Sequence, residues 1–203
     1  IAILASGCRN LILEHLLIDC VRDGIDLDCV ERATVRHCRI NSPNDDAIVI
    51  KSSLAMGDIR GSSDIDIVDC HVSGFDVGSV FDGTFGRTQQ TAPDKDPVTG
   101  RIKIGTETNG PIRRIRVERC TMERSRGLSI ISVDGGAIDD VCFRDVTMKE
   151  IFGPPIFVRL GARLRGPEGI IVGTIENLTF ERVTATAINS ESGIVAAGVN
   201  GHT

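Results

Sequence analysis

Two short runs gather carboxylates in a way that suits acid–base chemistry. RDGIDLD occupies residues 22–28 and NSPNDDAIVIKSS occupies residues 41–53. Each leads into a short stretch of alternating apolar residues. Aligning Ile25 with Ile48 sets Asp23 beside Asp46, one strand spacing away, with Asp45 adjacent. Three carboxyl groups thereby gather on one outer edge. Like charges a few ångströms apart repel and raise one another's pKa. Raised and unraised carboxyl groups side by side suit general acid and general base roles. The same residues also favour turns through bonds to their own backbone, so spacing alone leaves both readings open. Strand alternation sends Ile25, Leu27, Ile48 and Ile50 inward and Asp26, Asp28 and Lys51 outward.

The elements that must position these acids repeat along the chain. An apolar residue is followed by others at +3, +5, +8 and +10, as in Cys8, Leu11, Leu13, Leu16 and Ile18. The pattern restarts at positions 8, 30, 62, 112, 138 and 175. Steps of two mark two short strands separated by a bend. A third strand follows each unit: GIDL (24–27), AIVI (47–50), RIKI (101–104), GLSI (127–130), PIFV (155–158) and GIVA (193–196). One unit cannot bury its own apolar face, and stacking on its neighbours solves that. The fold expected is all-β, a right-handed parallel β-helix with three short strands per coil. Residues 1–203 read as a single such domain, with a long inserted loop over 74–100. Part of that loop, TQQTAPDKDPVTG (88–100), is polar, Pro-containing and without period, and reads as surface. The chain begins at Ile1 inside a repeat, without an initiator Met or signal sequence, and is read as a piece of a longer protein.

Composition narrows the function classes. Apolar residues make up 41%, enough for one continuous core, and there is no Trp or Tyr. A formal net charge of −5 argues against nucleic acid as a partner, and no run is long enough to suggest a membrane span. Of the seven cysteines, Cys38, Cys70 and Cys120 share the +8 position, where a buried column of small hydrophobes is expected. No CxxC pair or Cys/His spacing supports a metal site. His15, His37, His71 and His202 fall away from the aspartates and read as solvated or locally bonded. Ser129 has no evident His and Asp partners for a nucleophilic triad.

Taken in order, DGID, NDDAIVIKS, GTETNG and RGLSI resemble glycoside hydrolase family 28, the polygalacturonases and related pectin-degrading enzymes. RGLSIISVDGGAIDDVCFRDVTM and PIFVRLGARLRGP resemble its bacterial branch, and the likeness runs from about Cys20 to Arg165. The resemblance implies a right-handed parallel β-helix and a pectic polysaccharide substrate. It also implies a secreted or periplasmic location, with a cytoplasmic one as the alternative, and a reaction that needs no metal or organic cofactor. It places Asp23, Asp45 and Asp46 on the family's three catalytic aspartates. Asp45 then protonates the glycosidic oxygen while the other two activate water, with inversion. The chain departs from the family at Gly100, where a histidine is usual, and at Ser129 and Ile131, where Arg-x-Lys is usual. Other cations stand on the same face: Lys51, Arg101, Lys103 and Arg159, with Arg163 and Arg165 in the loop that follows. Such a row suits a polyanionic sugar chain, since Arg can grip a carboxylate with two parallel bonds. The alternative is that these cations neutralise Asp26, Asp28 and Glu107. Two further functions share the fold: a Ca²⁺-dependent polysaccharide lyase and a non-catalytic carbohydrate-binding β-helix. Oligomeric state is left open.

Overall fold

In the computed structural model, which describes residues 1–186 and 193–202, the chain winds into stacked three-strand coils. The strands begin with β1 (Ile3–Ser6), β2 (Arg9–Glu14), β3 (Leu17–Asp19), β4 (Ile25–Asp28), β5 (Glu31–Arg36) and β6 (Arg39–Asn41). They continue with β7 (Ile48–Ser52), β8 (Ser62–Val68), β9 (His71–Ser73), β10 (Ile102–Thr108), β11 (Ile112–Glu118) and β12 (Thr121–Glu123). The last are β13 (Arg126–Ser132), β14 (Ile138–Arg144), β15 (Thr147–Lys149), β16 (Phe152–Leu160), β17 (Ile175–Glu181), β18 (Thr184–Thr186) and β19 (Val195–Ala197).

Every third strand joins the same sheet. One sheet runs β1-β4-β7-β10-β13-β16-β19, a second holds β2, β5, β8, β11, β14 and β17, and a third holds β3, β6, β9, β12, β15 and β18. All named pairs are parallel. The architecture is a right-handed parallel β-helix, the hand that strand twist imposes on parallel crossovers. Among the described residues there is no helix.

The repeat fixes the register. Ala33 pairs with Leu11 and Ile65, and Ile115 pairs with Ile65 and Val141. Ile25 pairs with Ile48, and Ile48 with Ile102, the alignment that brings the acidic cluster together. Inward residues of successive coils form columns: Ile25, Ile48 and Ile102 are fully buried, as are Leu27, Ile50, Ile104 and Ile130. Each such side chain contributes about 1.5–3 kcal/mol by leaving water. Cys38, Cys70 and Cys120 are buried in the same core. The thiol of Cys70 is pushed up to about 12 by its contact with Cys120 and by burial.

Two features depart from the sequence reading. Residues 3–6 form a strand of the first sheet, a seventh member ahead of the first repeat. The bend at +7 is a left-handed residue that is never glycine: His15, His37, Asp69, Arg119, Asp145 and Arg182 have φ between 50° and 56°. A non-glycine residue there costs about 1–2 kcal/mol. The cost is offset because the bend's amide reaches the next coil, as in His37 N to Val68 O at 3.1 Å and Asp69 N to Glu118 O at 3.0 Å. Side chains of the column also pair. The rings of His15 and His37 stack at 5.0 Å, and Arg119 grips Asp69 with bonds of 2.8 and 3.1 Å.

Candidate active site

The acids sit where the chain enters the first sheet. Asp23 precedes β4 and Asp46 precedes β7, and backbone bonds stack these two segments on each other. The amide of Gly24 donates to Asp46 O at 3.0 Å, and that of Ala47 donates to Arg101 O at 2.9 Å. A side chain at Gly24 would collide with Ile40 and the Ala47 carbonyl, so only glycine lets the coils approach this closely. Asp23, Asp45 and Asp46 each place an oxygen within 4.8 Å of the others. The amide of Asp46 donates to Asp23 Oδ1 at 3.2 Å and to Asp45 Oδ1 at 3.1 Å. The three carboxyl groups singled out by sequence are therefore together.

Their environments differ. Asp46 is buried and receives Arg101 Nε on Oδ1 and Lys103 Nζ on Oδ2, both at 2.8 Å. Burial opposes its ionisation, but the two cations outweigh that and hold its carboxyl below the ordinary carboxylate range. Asp23 goes the other way. Burial, with the charges of Asp26 and Asp45, lifts it from 3.8 to about 7 against the pull of Lys51. Lys51 Nζ stands 3.7 Å from Asp23 and 2.8 Å from Asp26. Asp45 is the most open of the three, its side chain 26% exposed, and the exposed Arg22 closes over it at 2.6 Å.

Asp26 and Asp28 do turn outward, yet both are buried. Lys51 lies against Asp26, and the segment at Ser53 covers Asp28 through an amide bond of 2.8 Å. Burial raises the Asp26 carboxyl despite Lys51.

The insertion over 74–100 is more than a surface loop. Its middle lies outside the coil, but Ala92, Val98 and Thr99 are buried. The amide of Thr99 donates to Pro43 O at 2.9 Å, and that of Gly100 donates to Ser42 O at 2.8 Å and Asp45 O at 3.0 Å. Gln89 also bonds to Asn44. The insertion thus clamps the turn that carries Asp45. Sequence reasoning missed this role, because polar composition carries no sign of docking.

Gly100, where the resembled family has a histidine, has φ +52, and a Cβ there would lie 2.2 Å from Ser73 O. No side chain fits that position. Ser129 is buried between Lys103 and Phe157 in the strand register.

Of the six cations noted in the sequence, four are engaged inside the protein. Arg101 and Lys103 hold Asp46, and Lys51 holds Asp26. Arg163 grips Asp134, with Nε to Oδ1 at 2.9 Å, and lies 3.6 Å from Glu107. The neutraliser reading holds for Asp26 and Glu107. It does not hold for Asp28, which among the described residues is met by Ser53 and not by a cation. Asp46 and Asp134 are partners the sequence did not suggest. Arg159 and Arg165 are exposed. None of the histidines approaches the acids; His71 pairs with Glu123 at 3.1 Å.

A metal at the three carboxyl groups would share the Asp46 oxygens with Arg101 and Lys103, whose two charges repel a cation there.

No family model matches the sequence, and no curated protein matches it. Among solved structures the chain is similar to a polygalacturonase from Erwinia carotovora ssp. carotovora, with 13% identity and a TM-score of 0.47 over 93% of this chain and 55% of that one. It is also similar to a putative glycosyl hydrolase from Parabacteroides merdae, with 13% identity and a TM-score of 0.31 over 84% of this chain and 80% of that one. A third likeness is to the catalytic domain of a GH87 alpha-1,3-glucanase, with 10% identity and a TM-score of 0.29 over 96% of this chain and 49% of that one. The chain thus spans about half the length of the first and third of these. Overlaps this loose leave the chemistry to be argued from the chain's own residues.

Proposed function

We propose that the chain hydrolyses glycosidic bonds in a pectic polysaccharide, with Asp45, Asp23 and Asp46 as the working carboxyl groups. The observation that carries this reading is the split between neighbours: Asp23 is lifted to about 7 while Asp46 is held ionised, within 4.8 Å of each other and of Asp45. A carboxyl near working pH is matched to proton transfer.

In this scheme the glycosidic oxygen takes the place of Arg22 against Asp45, and Asp23, which holds the proton at rest, passes it to Asp45. Asp45 delivers that proton to the glycosidic oxygen as its bond to the anomeric carbon breaks. A water adds to that carbon and gives its proton to the ionised Asp23, which restores the starting state. Asp46, locked by Arg101 and Lys103, holds the other two in place through its amide, which donates to Asp23 Oδ1 and Asp45 Oδ1. Arg159 and Arg165 are the cations left to meet acidic groups of the polymer. Secretion or a periplasmic location belongs to the same proposal.

The family resemblance points to inversion, which is what a single displacement by water gives. The anomer first released, read by proton NMR, tests it, and release of the retained anomer would overturn the direct attack.

The test of the function is reducing-end release from galacturonan and rhamnogalacturonan by the purified chain and by Asp45→Asn. The amide cannot supply a proton, and a drop of about 10²–10⁴-fold is expected with the fold intact. Near-native turnover of Asp45→Asn would overturn the assignment. Activity abolished by a chelator would point to the lyase, and inactivity on both polymers to a binding module.

A further inference from the structure

Three inner ion pairs hold the carboxylate cluster, and one open pair covers it. In Arg101–Asp46, Lys103–Asp46 and Lys51–Asp26 the acid side chain is 2% exposed. In Arg22–Asp45 the two side chains are 59% and 26% exposed. A pair open to water is weak and exchanges partners readily, whereas breaking a buried one strands a charge. Arg22–Asp45 is therefore the ion pair of the cluster that a ligand can take apart.

The geometry of that pair blocks Asp45. Nε and Nη2 of Arg22 both donate to Asp45 Oδ2, at 3.2 and 2.6 Å. The other oxygen, Oδ1, accepts the Asp46 amide at 3.1 Å. A carboxyl that protonates a leaving group must carry its proton on an oxygen the substrate can reach, and Oδ2 meets two donors instead. The backbone beneath Arg22 is pinned. Its carbonyl accepts Ser42 Oγ and the Cys20 thiol, and Asp23 O accepts the Ala2 amide at 3.0 Å. The side chain alone can swing away and leave Asp23 in place.

We propose that Arg22 is a latch on Asp45, opened when a carboxylate of the polymer draws the guanidinium off Oδ2. The charge of the substrate thereby frees the acid that cleaves it. As Arg22 leaves, the proton held by Asp23 passes to Asp45 Oδ2, so one carboxyl ionises as the other is protonated, with oxygens of the two within 4.8 Å. The guanidinium, joining Arg159 and Arg165, then grips the substrate carboxylate with two parallel bonds. A neutral polymer offers Arg22 nothing in exchange for Asp45 and leaves the latch shut. The inference rests on the glycosidase reading and adds to it the residue that couples substrate charge to proton transfer.

The experiment compares the intact chain with Arg22→Gln on galacturonan and on its methyl ester, with circular dichroism to confirm the fold. On galacturonan the variant should lose about tenfold or more in kcat/KM, the worth of a hydrogen bond to a charged group. On the methyl ester it should gain up to about fivefold, the worth of an exposed ion pair. A residue that only supports the turn would slow both reactions when replaced. A fall on both polymers, or no gain on the ester, would overturn the latch. A second measurement reads the latch without turnover: the Arg22 Nε–H signal in proton–nitrogen NMR, assigned by its loss in Arg22→Gln. Galacturonate should shift this signal and methyl galactoside should not. Indifference to galacturonate, or an equal shift with the galactoside, would also overturn the latch. If galacturonate shifts the signal but no pectic polymer is cleaved, the hydrolase reading fails and the exchange of partners stands.

Discussion

Replacing Asp23 by Asn separates the charge of this residue from its structural role. Asp23 Oδ1 accepts the Asp46 amide at 3.2 Å, and the Asn carbonyl oxygen keeps that bond. What disappears is the ability to ionise in a buried place beside Asp26 and Asp45. In the folded chain the carboxyl stands at about 7, against an ordinary value of 3.8. The folded state therefore binds this proton more tightly than the unfolded state. Stability from this group is complete below about pH 4 and is lost as the pH rises to about 7. The slope is about 1.4 kcal/mol per pH unit, so the wild type loses up to about 4 kcal/mol over that interval. Relaxation around the ionised group makes this an upper figure. The assay is urea unfolding followed by circular dichroism, wild type against Asp23→Asn, at steps from pH 4 to 8. The variant should match the wild type near pH 4 and exceed it by a few kcal/mol at pH 8, while losing activity at every pH. Parallel curves, or a variant less stable at pH 8, would refute the claim that burial and neighbouring acids hold a proton on Asp23.

Three other outcomes follow from the same geometry. Gly100→Ala should lower the melting temperature and impair activity together, because the added Cβ meets the Ser73 carbonyl at 2.2 Å and disturbs the amide that holds Asp45; a melting temperature equal to wild type would show that the turn adapts. Joint replacement of Arg101 and Lys103 by Met leaves Asp46 buried without a cation, and stability at pH 7 should fall by about 3–5 kcal/mol and recover toward low pH as Asp46 takes up a proton; a pH-independent loss would mean the cations act by packing alone. In the native chain a thiol reagent should reach Cys8 and Cys20, which are partly exposed, and leave Cys38, Cys70 and Cys120 unmodified until urea unfolds the coils; rapid labelling of that column would break the register.

The sequence showed most where apolar burial forces repetition. A side chain at +3 or +5 can leave water only by lying on its counterpart in the next coil, so the columns through Ile65 and Ile115 and the Ile25–Ile48 register were readable without coordinates. The acidic cluster came with that register, since Asp23 and Asp46 occupy matching places before their strands. Three things were not readable. The bends at +7 carry His, Asp and Arg in a left-handed conformation that local chemistry does not announce, because the strain is met by an amide bond to another coil. The strand Ile3–Ser6 precedes the first full repeat and has no counterpart earlier in the chain to reveal it. The third is the fate of the cations. Alternation tells which side of the sheet Lys103 faces, but not that Asp46, 57 residues earlier, lies within 2.8 Å of it. An outward residue on a solenoid meets the outward residues of the coils above and below before it meets solvent. Lys51, Arg101 and Lys103 looked like hooks for an acidic polymer, and they are first of all the counterions of Asp26 and Asp46. Of the six cations noted in the sequence, only Arg159 and Arg165 keep their charge exposed to solvent, because no acid of a neighbouring coil among the described residues reaches them first.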